Sequence, residues 1–487
     1  MATNSVTSAT SGATFDVPSL VSQLMSVERQ PITRLNTKQT SYQSKITALG
    51  LVKSKVAALQ TAAQNLGSSS SSSLNSLKAT PSDSTIFSAT ASSSAITGTY
   101  SLSVGSLAQS QKLVAVGQVS STAAIGTGAA TTITFDFGSI DISASNSHGG
   151  GSLSGGVYTN ADFNSNGSGT HSVVIDSSNN TLQGIRDAIN AASIGVTASI
   201  VNDGSGTPYR LALSSDSSGL SNSIKITTDG ADASIDSLLA YNPAGTQNLS
   251  ETVSAKNAAL TVNGIAISKS SNTITDAIQG VTLSLSSLTT TPATLTITRD
   301  TTAVSDAVNN FVAAYNDLYT TMKTDSSYQT SGTALAGDST LRSLQSQMRS
   351  IASTAVSSGT LTNLFDVGLS FKTDGTLQLD SSKLSSAMAV NFNNVASLFN
   401  STTGFATRFD QWSSAAIAPA GTLSVKTNGI TKSISDITNQ IAALEVRMTS
   451  LEKMYTTQYS QLNATLLGMS QTSTYLTQQF AAMNAQK

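Results

Sequence analysis

With 487 residues the chain has room for about three domains; its formal net charge is −2, only 11% of residues are charged, and cysteine is absent. So weak and balanced a charge excludes electrostatic capture of nucleic acid or of an anionic membrane. The lack of cysteine excludes disulfides and thiolate metal sites, leaving packing and assembly to hold the molecule.

The first fourteen residues, Met1 to Thr14, are rich in Ser, Thr and Ala and lack the apolar core of a signal peptide. Phe15-Asp16-Val17-Pro18 then signals a helix start: Asp16 as N-cap, Pro18 in the first turn, and Phe15 with Leu20 as a hydrophobic staple. Pro31 starts or kinks the next segment. From there Leu35, Tyr42, Leu49, Val56 and Ala63 form one heptad row, and Val52, Leu59 and Leu66 a second, interrupted upstream by Lys38 and Lys45. Six serines, Ser68 to Ser73, make a flexible joint by composition.

Strand-like runs follow, in which Thr and Val alternate with Gly and Asn at the turns. They include Tyr100–Val104, Ile133–Phe137, His171–Ile175, Ile224–Thr227, Leu260–Asn263, Val281–Leu285 and Thr294–Thr298. A short helix is expected over Thr181–Ala191, and the Gly/Ser/Asn-rich tract Gly138–Gly169 reads as a loop or loose hairpin. No Gly-Lys-Ser/Thr follows that tract, so it is not a phosphate cradle.

Helix returns after Thr302, where Val304, Val308, Phe311, Val312, Tyr315, Leu318 and Tyr319 form a stripe. It recurs around Leu341–Met348 and Val395–Phe399. At the C-terminal end Ile434, Ile441, Met448, Tyr455, Leu462, Met469, Leu476 and Met483 recur every seven residues without a break. Ile437, Leu444 and Leu451 begin the second seam row, which continues as Gln458, Thr465, Thr472 and Gln479. At 1.5 Å per residue this rod is roughly 80 Å long. It carries no charge from Met454 to Gln486. Its polar seam layers predict a weak coiled coil whose tip is frayed until it docks. Burying one seam side chain yields about 1.5–3 kcal/mol, against about 1–2 kcal/mol per residue to order the chain. No apolar run is long enough to span a membrane.

The fold class is therefore α+β and multidomain. N- and C-terminal helices form a coiled-coil or bundled leg, with β-rich head domains inserted between them. Chemistry is sparse. The only histidines, His148 and His171, lie in a Gly/Ser loop and at a strand start, and no Gly-x-Ser-x-Gly elbow occurs. Asp374-Gly375 reads as a hairpin turn, and Trp412 as a core residue. No catalytic residue, metal site or cofactor is expected.

Several segments together carry a resemblance. Phe15 to Met25 with Val27-Glu28-Arg29-Gln30-Pro31-Ile32, and Gly98 to Val104 with Leu107-Ala108-Gln109, are similar to the N-terminal half of the flagellar hook-associated protein 2 family, the filament cap proteins. Leu182 to Ser214 is similar to a repeat of flagellin and hook proteins. Leu260 to Ile265, Asn272 to Leu283 and Phe311 to Asn316 resemble the C-terminal half of the family.

The resemblance implies a secreted, extracellular assembly factor that leaves the cell by the flagellar type III route. It would form a homo-oligomeric ring, expected as a pentamer, at the filament tip. There it would hold exported flagellin and help it to fold into place. Flagellin, hook-associated junction proteins and a cytoplasmic export chaperone at the C-terminal helix are the implied partners. A hook–filament junction or filament subunit, and a mucin- or glycan-binding surface adhesin, are the rival readings.

The implied domains are a terminal segment (1–40), a helical leg (41–78) and an inner β head (79–117). An outer β head (118–249) follows, with its repeat near 181–227, and then the rest of the inner head (250–300). The leg resumes over 301–433 and ends in a coiled-coil segment, 434–487. The expected subunit and filament contacts are Ile434, Ile441, Met448, Leu451, Tyr455, Leu462, Met469 and Leu476, with Leu35, Tyr42 and Leu49 opposite.

Overall fold

The computed structural model describes residues 16–67, 72–328, 333–357 and 359–484. The expectations for Met1–Thr14, the Phe15 staple and most of the serine joint lie outside these residues. Among the described residues the helices are α1 (Val17–Glu28), α2 (Gln30–Asn65), α3 (Leu182–Ala192), α4 (Ala233–Leu239), α5 (Thr301–Asp325), α6 (Ser339–Ser353), α7 (Ser381–Asn400), α8 (Phe405–Ile417) and α9 (Thr422–Asn484). The chain divides into two compact units, one of residues 1–74 with 301–487, the other of 75–300.

The first unit is helical. Asp16 caps α1 by accepting from the Ser19 amide, and prolines in the first turns of α1 and α2 set both starts. The break between them is the single residue Arg29, so α2 runs on through position 40, where a segment boundary was expected. Leu49, Val52, Val56 and Leu59 of α2 are buried with Phe311 and Tyr315 of α5 and Phe409 of α8. Phe409 meets both rings edge-on, Phe311 at 5.2 Å and Tyr315 at 5.9 Å, the geometry their quadrupoles prefer. Trp412 is only half-buried beside this core and donates its indole N–H to Gln347. The Asp374-Gly375 hairpin joins Leu369–Phe371 to Leu377–Leu379.

The second unit holds two β cores. One joins a five-stranded antiparallel sheet (order Leu77–Pro81, Ala293–Arg299, Gly98–Ser106, Ala258–Val262, Ile265–Lys269) to a three-stranded sheet of Thr273–Ile278, Val281–Leu285 and Phe87–Ala91. Asn263 and Gly264, both at positive φ, make the two-residue turn between its last pair of strands.

The other core packs α3 and α4 against two four-stranded sheets. In one of them the long strand Thr131–Asp141 pairs with Ser223–Thr228 along one edge. His171–Ile175 and Asp162–Ser165 share its other edge. The Gly-rich tract is more ordered than its composition suggests. Ser152–Ser154 and Val157–Thr159 form a hairpin there, and Asp162–Ser165 joins the sheet. A buried carboxylate explains part of that order. Glu251 accepts from Tyr158 of the hairpin (2.9 Å), from Gln111 (2.7 Å) and from Tyr241 (3.2 Å).

Candidate functional site

Helix α9 spans 63 residues, and its two ends live in different surroundings. Its first half lies antiparallel to α1 and α2, as a ladder of side-chain contacts records. Lys53 donates to Ser424 (3.3 Å), Gln39 to Thr438 (2.9 Å), and Arg29 pairs with Glu445 (3.2 Å). That register sets Tyr42 level with Ile434 and Leu35 level with Ile441. All four are half-buried. Lys38 and Lys45, which break the second heptad row, lie over the Tyr42 ring at 5.7 and 5.5 Å.

Further along, Val17, Val21 and Met25 of α1, spaced four apart, close with Ile32 over Met448. Ile441, Leu444, Leu451, Tyr455 and Tyr459 flank this small cluster. Of the expected contact residues, Leu49 is buried in the core of the helical unit and Met448 beneath α1, so both pack within the chain itself. Ile434, Ile441, Leu451 and Tyr455 are partly covered by the chain itself. Sequence reasoning missed that α1 is the lid on this stretch, although the four-residue spacing of Val17, Val21 and Met25 was readable.

From Ala464 to Met483 every residue of the helix is exposed. Leu462, Met469, Leu476 and Met483 continue the seam at 46%, 64%, 49% and 65% exposure. Phe480 and Tyr475 stand beside them, also exposed. Residues 461–484 form a rod of roughly 36 Å. The tip is helical through Asn484, as Leu, Met, Gln and Ala favour where no proline interrupts them. So much aligned apolar surface on one solvent-facing helix is characteristic of an interaction site.

Among the described residues no group of three or more His, Cys, Asp or Glu could hold a metal ion, and no helix is long and apolar enough to cross a membrane. Ser147, His148 and Asp162 do cluster. However, the Ser147 hydroxyl (2.6 Å) and His148 Nδ1 (3.0 Å) meet the same Asp162 oxygen, and the hydroxyl lies 3.1 Å from that same ring nitrogen. A catalytic triad needs acid and nucleophile on opposite imidazole nitrogens. Hydrogen bonds from Ser147 hold the Asp162 carboxyl below its usual range, so the trio is a loop clasp.

Terminal helices with inserted β domains are also the plan of a solved flagellar cap protein that the chain matches. The flagellin hook IN motif matches residues 162–217. It begins ahead of Leu182 and takes in the last strand of the Gly-rich tract. The flagellar hook-associated protein 2 N-terminus matches residues 13–111 and its C-terminus residues 255–484. Hook-associated protein 2 of Escherichia coli K12 is 34% identical over 98% of both chains. The B-type protein of Pseudomonas aeruginosa PAO1 is 33% identical over 92% of both. The crystal structure of the flagellar cap protein FliD D1-D2-D3 domains from Escherichia coli superposes with a TM-score of 0.64 at 34% identity, covering 79% of this chain and 99% of that one. The chain belongs to the flagellar hook-associated protein 2 family, the extracellular caps of the flagellar filament tip.

Proposed function

We propose that this cap works without catalysis, as a closed ring of identical copies whose α9 tips grip the subunits beneath. The observation that carries the reading is the run Leu462, Met469, Leu476 and Met483, an apolar seam exposed along the last stretch of α9. Tyr455 and Leu451, half-covered by α1, form its inner margin. The two β cores of 75–300 serve as the domains that retain exported flagellin while it folds into place.

The polar layers Thr465, Thr472 and Gln479 keep each docked contact shallow. A tip held by a few apolar residues, each contributing about 1.5–3 kcal/mol, can release and reseat as subunits add. Hook-associated junction proteins offer the first seat, a pentamer is the expected ring, and an export chaperone would cover the same seam before secretion. The relatives' naming as hook-associated and cap proteins favours this over an adhesin or a filament subunit.

The test is Leu462→Asp with Met469→Asp in the full chain. Both side chains are exposed, so folding should be unchanged while filament elongation stops. Normal filaments from that variant would remove the docking role from α9.

A further inference from the structure

The nine methionines are distributed unevenly with respect to solvent. Met1 lies outside the described residues. Met322, Met348 and Met388 are buried in the helical core, and Met25 of the α1 lid is buried against Met448 beneath it. Met454, Met469 and Met483 are exposed, and all three sit on α9. Met469 and Met483 occupy the seam itself, two heptads apart, while Met454 is one residue off the seam row.

We infer that Met469 and Met483 form an oxidation site through which peroxide-class oxidants disarm the docking seam. A thioether sulfur lone pair attacks one oxygen of hydrogen peroxide; the O–O bond breaks, an S–O bond forms, and the other oxygen leaves as water. The methionine loses two electrons to the peroxide and becomes a sulfoxide. Exposure governs the rate, so the fold itself selects the two seam sulfurs and protects those that hold the domain together. The product replaces a flexible apolar side chain by a polar one at positions that must be buried for docking.

Thioether is also the one group on this seam that hydrogen peroxide attacks readily, since the chain has no cysteine. Leu462 and Leu476, which alternate with the methionines, are inert to peroxide. Oxidation therefore weakens the seam at every second apolar layer and leaves the helix intact. A seated cap shields the sulfurs, so the free subunit is the vulnerable form.

This inference rests on the docking role of α9, and its test separates the two. Full-length protein is treated with dilute hydrogen peroxide, digested and mapped by mass spectrometry. Its retention on filament tips is then measured relative to the same protein untreated. One added oxygen is expected on Met454, Met469 and Met483 well before the buried methionines, with at least tenfold weaker retention. In Met469→Leu with Met483→Leu, retention relative to its own untreated value should no longer fall, whereas Met454→Leu should lose retention as the parent does. Equal oxidation of buried and exposed methionines would overturn the inference. So would undiminished peroxide sensitivity in the double leucine variant, even with the docking role intact. Docking itself fails only if the Leu462→Asp, Met469→Asp variant elongates filaments.

Discussion

Met448 and Met469 are chemically identical and share one heptad row, yet the structure gives them opposite fates. Met448 is 3% exposed beneath α1 and Met469 is 64% exposed on the bare tip. Truncating a buried methionine to alanine costs about 2–5 kcal/mol, through lost transfer energy and an unfilled cavity. An exposed truncation normally stays within about 0.5 kcal/mol.

The Met448 cluster is separate from the main helical core, and α1 is a short helix whose buried residues are Val17, Val21 and Met25. The loss in Met448→Ala should therefore appear as detachment of α1 rather than as global unfolding. At about 1.4 kcal/mol per factor of ten, amide hydrogen exchange across Val17–Glu28 should speed up at least roughly 30-fold. Met469→Ala should leave α1 exchange untouched while weakening retention at the filament tip. If Met448→Ala left α1 as protected as before, or if Met469→Ala exposed it equally, the division of α9 into a clasped half and a free half would be wrong.

Two further perturbations probe the scaffold. Asp338 caps α6 through the Thr340 and Leu341 amides and pairs with Lys426 of α9 at 2.5 Å. Burial pushes its carboxyl up, but Lys426 and the two amides outweigh that and hold it below the usual range. Its folded pKa thus lies under the unfolded value, so its stabilisation is complete above about pH 4 and is lost as pH falls through the folded value. Asp338→Asn should lower the thermal midpoint at neutral pH and flatten the acid limb of the stability curve; an unchanged acid limb would refute the assignment.

In the β unit, Glu251→Ala would strand the Gln111 amide donor and the phenols of Tyr158 and Tyr241, which burial and the neighbouring Glu251 carboxylate keep protonated. Urea unfolding should show a loss of at least about 2 kcal/mol, with faster exchange in the Val157–Thr159 strand. An unchanged urea midpoint would show that the hairpin is held by other contacts.

Much of the architecture was legible in periodicity. The heptad row from Ile434 to Met483, the α5 stripe and the alternation of Val281–Leu285 follow from which faces must be apolar, a property local to each segment. Turn chemistry was equally local: Asp16 caps a helix and Asp374-Gly375 turns a hairpin because of their own side chains and backbone freedom. Burial of particular seam residues is not local. Ile441, Met448, Leu462 and Met469 look alike as a heptad row, and only the antiparallel register fixed by Arg29–Glu445 and Lys53–Ser424 decides where the cover ends. The Gly-rich tract is the converse case. Its composition signals looseness, but hydrogen bonds that Tyr158 donates to distant Gln247 and Glu251 order it, and contacts so remote in sequence leave no periodic trace.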